Sequence, residues 1–65
     1  MDLSAYQRMD PNILLGIVNE KLRLECADLG DLLLRYDMSK DMLIKKMYAI
    51  GYHYDEMTNQ FKPDH

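Results

Sequence analysis

The residues with the most reactive side chains are few in this chain. His53 lies beside Tyr54 and Asp55, and these residue types can act as general acids and bases. On a short hairpin they supply no nucleophile, no oxyanion hole and no cleft that excludes water. We therefore predict that the protein is not an enzyme.

Cysteine and histidine usage predicts neither a disulfide nor a metal site. Cys26 is the only cysteine, and Glu25 and Asp28 nearby should raise the pKa of its thiol and lower its reactivity. One cysteine and two distant histidines, His53 and His65, do not make a zinc site. The three glycines are isolated, so no phosphate-binding loop is present. We expect no cofactor, and no small-molecule substrate is evident.

A group of basic and polar residues between 39 and 50 has the composition of a DNA-contacting helix. Its members are Ser39, Lys40, Lys45, Lys46 and Tyr48. Residues 35–48 carry four basic and two acidic side chains, a local charge of +2. Because the net charge of the chain is −3, the remaining residues together carry −5. Asp41 lies one turn before Lys45 and opposes its charge. Sequence-specific binders often make ~6–10 phosphate contacts, more than the basic residues of this segment can supply. DNA binding is therefore only the alternative function, and the acidic balance of the whole chain also disfavours it.

Helix signals define the elements that carry these residues. Asp10 followed by Pro11 is typical of a helix start and predicts a first helix from about Pro11 to about Cys26. Asp28 can cap a second helix from about Leu29 to Tyr36, in which Leu29, Leu32, Leu33 and Tyr36 follow helical spacing. Ser39 can cap a third helix to Ile50, and Gly51 ends it in a left-handed conformation.

A β-hairpin is predicted after Gly51. A four-residue tip, Asp55 to Thr58, would pair Tyr54 with Asn59 and Tyr52 with Phe61. Strand alternation then places Tyr52, Tyr54 and Phe61 on one face, which should pack on the helices, and leaves His53 and Gln60 facing outward. The fold class is therefore mainly α (small α+β), with three helices and a C-terminal two-stranded hairpin, similar to a winged helix-turn-helix.

The chain of 65 residues is long enough for one small domain. We divide it into an N-terminal arm of low order (residues 1–9), a single helical domain with the hairpin (residues 10–62) and a tail (residues 63–65). No apolar run is long enough to cross a membrane, and no signal peptide is recognisable. A lone thiol without an export signal predicts a cytoplasmic protein.

The apolar arc of the first helix is wider than one packing contact needs. The candidate interface residues in it are Ile13, Leu14, Ile17, Val18 and Leu24. We expect this helix to bury one side in its own domain and one side against a protein partner, including a second copy of the chain as a homodimer. The alternative is that the arm folds back over the same surface through Leu3, Tyr6 and Met9. The favoured function is a non-enzymatic binding module that acts through this interface.

Three sequence blocks together resemble a known family. They are Asp10-Pro11 with Leu14-Leu15, Val18-Asn19 and Lys21-Leu22-Arg23; the segment Leu29 to Leu33; and Leu43-Ile44-Lys45-Lys46 leading to Tyr52-His53-Tyr54 and Asn59-Gln60-Phe61. Over residues 10–61 the chain resembles a family of short bacterial proteins, mostly of Firmicutes type, that is described only as a domain of unknown function. The resemblance implies a free-standing cytoplasmic domain, and it assigns no catalytic or ligand-binding residue.

Overall fold

Three helices are followed by one antiparallel hairpin in the computed structural model, which describes residues 5–64. The helices are α1 (Pro11–Leu24), α2 (Leu29–Arg35) and α3 (Lys40–Ala49), and the strands are β1 (Tyr52–Asp55) and β2 (Gln60–Pro63). A short 3-10 helix, Tyr6–Arg8, precedes α1. This order confirms the predicted mainly α fold with a small β-hairpin. The likeness to a winged helix-turn-helix stays a prediction.

Side-chain caps start all three helices where the sequence predicts them. Asp10 accepts a hydrogen bond from the backbone N–H of Asn12 at 2.8 Å, with Pro11 in the first turn. Asp28 accepts from the N–H of Asp31 at 2.8 Å, and Ser39 accepts from the N–H of Met42 at 3.4 Å. Each cap satisfies one of the backbone donors that a helix start leaves without a partner.

All three helices end slightly before the predicted residue: α2 ends at Arg35 rather than Tyr36 and α3 at Ala49 rather than Ile50, and the largest difference is in α1. Gly51, which follows the C-cap residue Ile50 of α3, has a φ of 77°, as expected for a C-terminal glycine. α1, however, ends at Leu24 rather than Cys26. The N–H groups of Glu25 and Cys26 both bond to the carbonyl of Lys21, so the helical ladder stops there.

The hairpin register differs from the predicted one by two residues on the second strand. Tyr54 pairs with Phe61 and Tyr52 with Pro63, so the predicted Tyr52–Phe61 pair does not form. The tip is residues 56–59, because Asn59 leaves the ladder with a φ of 56°. The rings of Tyr54 and Phe61 lie 5.6 Å apart in a tilted arrangement. A shift of two residues preserves strand alternation, so the predicted aromatic face is kept.

The arm, predicted to be of low order, contacts the rest of the chain over its described part. Tyr6 is buried, and its hydroxyl oxygen accepts a hydrogen bond from the backbone N–H of Ser39 at 2.9 Å. The Lys46 ammonium donates to the carbonyl of Gln7 at 3.1 Å, and Met9 packs against the core. These contacts fix the arm beside the start of α3. Leu3, the other predicted contact, lies outside the described residues.

One apolar core joins all these elements. Its fully buried members come from the three helices: Leu14, Val18, Leu22, Leu32, Leu43 and Met47. Phe61 closes the core from the hairpin, and Tyr6 closes it from the arm. Among residues 5–64, no helix combines the length and the apolar content needed to cross a membrane.

Candidate interaction surfaces on α1 and α3

Two apolar side chains of α1, Ile13 and Leu24, face away from the core, and Ile17 between them packs partly against it. Ile13 is 58% exposed and Leu24 is 65% exposed, while Ile17 is half-buried. At 3.6 residues per turn these three residues and Glu20 fall within an arc of about 60°. We call this set (Ile13, Ile17, Glu20 and Leu24) the α1 stripe. It runs the length of the helix beside the buried face.

Two of the five predicted interface residues lie elsewhere. Leu14 and Val18 are fully buried in the core of the chain itself, so neither can contact a partner in this fold. The prediction grouped them with Ile13 and Ile17 because helical periodicity gives the width of an apolar arc and not the position of its neighbours. The structure divides the arc into a covered half and an exposed half.

A polar cluster marks the border between the α1 stripe and α2. The Lys21 ammonium donates to Glu25 at 2.7 Å and lies 5.7 Å from the centre of the Tyr36 ring. The hydrogen bond with Glu25 raises the pKa of Lys21, and the same bond lowers the pKa of Glu25. Only 21% of the Lys21 side chain is exposed, so most of its stem is covered at this border.

Gly16 borders the α1 stripe on its other side. A methyl group added at this position would meet no side chain and no neighbouring element within 4 Å. A glycine in a helix interior costs about 1 kcal/mol relative to alanine. Packing within residues 5–64 therefore gives no reason for a glycine at this point.

The structure separates the five predicted DNA contacts. Ser39 is occupied as the cap of α3, and Lys46 is half-buried with its ammonium on the carbonyl of Gln7. Lys40, Lys45 and Tyr48 are exposed, and Tyr48 is 68% exposed. They line a shallow open groove on the outer face of α3. Its complete lining is Lys40, Asp41, Ile44, Lys45, Tyr48 and Ala49.

The reactive side chains do not converge. Burial, and after it the charge of Asp31, raises the pKa of the Cys26 thiol. The direction is the one expected from the sequence, but Glu25 contributes less than these two causes and Asp28 is not among them. His53 forms an exposed pair with Asp64, with Nδ1 2.7 Å from the carboxylate oxygen. In the part of the chain that the structure describes, no three His, Cys, Asp or Glu side chains are grouped to hold a metal ion.

Three amides join the hairpin to α1, and sequence reasoning missed them. Asn19 bonds both backbone groups of Phe61, at 2.7 Å and 3.1 Å. Asn59 donates to the carbonyls of Leu22 and Cys26 at 2.9 Å and 3.2 Å. Gln60, predicted to face outward, is half-buried and donates to the carbonyl of Asn19 at 3.0 Å. The only sequence signal was the polar pair Asn59-Gln60 between apolar strand residues.

A family match covers α1, the amide contacts and every core residue except Tyr6. A family model described as a domain of unknown function (DUF4250) matches residues 8–61. The chain belongs to the DUF4250 family. The match includes the α1 stripe, Gly16 and the groove on α3, and it confirms the resemblance to a domain-of-unknown-function family.

Comparison with curated proteins gives no match, and comparison with solved structures gives none either.

Proposed function

We propose that the protein is a non-enzymatic binding module whose interface is the α1 stripe and whose partner is a protein. The observation that carries this proposal is the exposure of Ile13 and Leu24, at 58% and 65%, on a helix that also supplies the centre of the core. Isolated exposed apolar residues are common, but an aligned apolar stripe indicates an interaction surface.

Packing within the chain supports this choice of surface. The opposite side of α1 is used completely: Leu14, Val18 and Leu22 are in the core, and Asn19 holds β2. The arm lies beside α3 through its bonds to Ser39 and Lys46. Beside this arrangement of the arm, Ile13 and Leu24 remain exposed.

Duplex DNA binding through α3 has weaker support. Two of its five candidate residues, Ser39 and Lys46, already have partners within the chain. Lys40 and Lys45 remain exposed, but Asp41 lies between them in the same groove. Two lysines fall short of the ~6–10 phosphate contacts that specific binders often make.

Site-specific photo-crosslinking in cells of the source organism tests the interface. A benzophenone amino acid would replace Ile13 in one variant and Leu24 in another. Leu34, which is 85% exposed on α2, provides the matched control position. The proposal expects the same discrete adduct from positions 13 and 24, none from position 34, and loss of that adduct when Ile17→Gln is added.

The contrary outcome is equally specific. Equal adduct yields at positions 13, 24 and 34 would show that the α1 stripe is ordinary surface. Retention of the adduct in the Ile17→Gln background would show that crosslinking does not depend on the stripe. A circular dichroism spectrum and melting curve for each variant would show that the fold is intact.

A further inference from the structure

The outer edge of β1 presents backbone groups that have no partner in the described part of the chain. Phe61 turns its N–H and C=O toward Asn19 on α1. Its ladder partner Tyr54 therefore turns its own N–H and C=O away from β2, and so does Tyr52 two positions earlier. Within residues 5–64 no hydrogen bond reaches these groups of Tyr52 and Tyr54. Because backbone groups without a protein partner nearly always contact water, this edge is open to solvent.

A cleft adjoins this edge. It has a volume of about 690 Å³ and lies between the hairpin, α2 and α3. Leu29, Leu33 and Ile44 supply its apolar lining, and Tyr54 and Glu56 line it from the hairpin. The Tyr54 hydroxyl oxygen accepts from the N–H of Leu29 at 3.3 Å, so this side chain crosses from β1 to the start of α2. The cleft therefore opens on the face of the hairpin that packs on the helices.

We infer that the outer edge of β1 and this cleft together bind an extended peptide segment of another protein, which adds a third strand to the hairpin and places apolar side chains in the cleft. An extended backbone is the ligand that matches a row of alternating N–H and C=O groups. The site is separate from the α1 stripe, so the inference goes beyond the proposed function and does not depend on it.

Strand alternation assigns the two faces of the bound peptide. Side chains on the face of Tyr54 enter the cleft, whereas those on the face of His53, which is exposed, remain in water. The site therefore selects a segment with apolar residues at every second position. The backbone bonds hold the segment, and the cleft recognises its side chains.

Two charged side chains give the cleft further selectivity. Lys40 and Glu56 line it and are exposed, and neither forms an ion pair within residues 5–64. Asp28 also lines the cleft, but its carboxylate caps α2 by accepting from the Asp31 N–H. An acidic residue of the peptide can pair with Lys40 and a basic one with Glu56. The complementary segment therefore carries both an acidic and a basic residue beside its apolar positions.

The opposite edge of the hairpin shows what such backbone groups bind. At Phe61 the Asn19 amide accepts from the N–H and donates to the C=O, as the backbone of an added strand would. Tyr54 presents the same two groups, and the described residues give it no such amide. β1 contains neither proline nor lysine, two residues that commonly prevent strand pairing at an edge. β1 thus remains able to pair.

The length of β1 limits the strength of binding. Only Tyr52 and Tyr54 turn their backbone groups outward, so an added strand gains few hydrogen bonds. Contacts of this size are typical of transient complexes. We therefore expect weak binding in rapid exchange, with an affinity that depends on the side chains in the cleft.

Amide hydrogen exchange, measured by NMR on the full chain, tests the edge. In the protein alone, the Tyr52 and Tyr54 amides should exchange faster than that of His53, which points into the ladder. The probe is a short capped peptide of alternating leucine and threonine with glutamate at one end and lysine at the other, made in both end orders. At saturation the tighter-binding probe should slow exchange at Tyr52 and Tyr54 about tenfold and leave Leu24 on the α1 stripe unchanged.

Two methylated versions of the probe test strand addition itself. Successive residues of a strand point their N–H groups to opposite edges, so methyl groups on the leucine nitrogens block one edge of the peptide and methyl groups on the threonine nitrogens block the other. One version should lose binding and the other should keep it. Loss on methylation of the leucines indicates an antiparallel strand, because the residue opposite Tyr54 then bonds it directly with its side chain in the cleft. Loss on methylation of the threonines indicates a parallel strand.

Matched variants test the cleft. Gly30 lines it, and a Cβ added there would lie 3.4 Å from the Asp28 carboxylate, an ordinary contact. Gly30→Leu should therefore fill the cleft and raise the dissociation constant of the probe about tenfold, whereas Gly16→Leu on α1 should leave it unchanged. Lys40→Gln should raise it about threefold, and Lys45→Gln, outside the cleft, should not. Circular dichroism spectra would show that each variant is folded.

Three results would overturn the inference. Unchanged exchange at Tyr52 and Tyr54 with millimolar probe would show that the edge does not pair. Equal behaviour of the two methylated probes would show that the peptide binds in another way. Slower exchange at the same two amides as the concentration of the protein alone rises would assign the edge to a second copy of the chain.

Discussion

The side-chain amide of Asn19 bonds both backbone groups of Phe61: its oxygen accepts from the Phe61 N–H at 2.7 Å, and its nitrogen donates to the Phe61 carbonyl at 3.1 Å. Asn19 lies in the middle of α1 and Phe61 in β2, 42 residues apart. The backbone N–H and C=O of Phe61 therefore point toward α1 and away from β1, which makes Phe61 and Tyr54 a non-hydrogen-bonded pair of the antiparallel ladder. Tyr52 and Pro63 are two positions further along the ladder and are therefore also a non-hydrogen-bonded pair. The absence of an N–H on Pro63 thus removes no hydrogen bond between the two strands.

Asn19→Ala should therefore lower the free energy of unfolding by about 2–3 kcal/mol, because two part-buried backbone groups lose their partner. Chemical denaturation measures the change. Asn12→Ala is the matched control, since Asn12 is an exposed asparagine on the same helix and a surface change of this kind stays within about 0.5 kcal/mol. Equal effects of the two substitutions would contradict the role assigned to Asn19.

Asn59 is expected to stabilise the end of α1 through its side chain and the turn through its backbone. Its nitrogen bonds the carbonyls of Leu22 and Cys26, and its oxygen accepts from the Tyr54 hydroxyl at 2.6 Å. Asn59→Gly keeps the positive φ and removes the bonds, so it should cost about 2–3 kcal/mol in denaturant unfolding.

Asn59→Asp provides the comparison. Aspartate tolerates a left-handed backbone, but its carboxylate would face two carbonyl oxygens in place of a donor. It should therefore destabilise the protein more than Asn59→Gly does at pH 7. If both variants were as stable as the parent chain, the conformation of the turn alone would explain Asn59.

Tyr6→Phe measures how firmly the arm is held. The substitution removes the acceptor of the Ser39 N–H and should cost about 1 kcal/mol. Tyr48→Phe removes a hydroxyl from a side chain that is 68% exposed and should leave stability within about 0.5 kcal/mol. Thermal melts of the two variants, recorded side by side, give the difference. No loss in Tyr6→Phe would mean that burial of the ring alone positions the arm.

Asp31 should make stability depend on pH in the acid range. A hydrogen bond from the Ala27 N–H, and after it the bond from Arg35, lowers the pKa of this carboxyl from its ordinary value of 3.8. A lowered folded-state pKa gives stability that is present above the unfolded pKa and is lost as pH falls through the folded pKa. Unfolding free energy, measured by urea titration, should therefore fall from about pH 5 toward pH 2.

Asp31→Asn should be less stable than the parent near neutral pH and should show a shallower acid slope. Asp41→Asn is the control, because in the described part of the chain Asp41 accepts no hydrogen bond from a side chain. An unchanged slope in Asp31→Asn would assign the acid sensitivity to other carboxyls that are held in the same way, such as Asp55, whose pKa the Met57 N–H lowers.

Local signals in the sequence were enough to place the helices and the strands. The caps at Asp10, Asp28 and Ser39 and the left-handed Gly51 act within a few residues of their positions, so their effect can be derived from spacing alone. The hairpin register could not be derived in this way. Asn59 leaves the ladder because it bonds carbonyls of α1, more than 30 residues earlier in the chain.

The candidate interaction surface on α1 was likewise only partly predictable from the sequence. Periodicity predicted a wide apolar arc on α1, but only tertiary packing shows that Leu14 and Val18 are inside and Ile13 and Leu24 are outside. The arm was predicted to be of low order because it has no period. The hydrogen bonds that hold its described part, from the Ser39 N–H to the Tyr6 hydroxyl and from the Lys46 ammonium to the Gln7 carbonyl, join residues 33 and 39 positions apart.

A two-stranded ribbon with open margins invites other chains to extend it, and such margins can start fibrous aggregates. Here the amide of Asn19 occupies the outward-pointing backbone of β2 at Phe61, and Pro63 offers no donor there. A strand added at this edge of β2 could therefore pair neither with the backbone groups of Phe61 nor with an N–H at Pro63. The bonds that dock the hairpin onto α1 thus also protect the protein from growth by strand addition along β2.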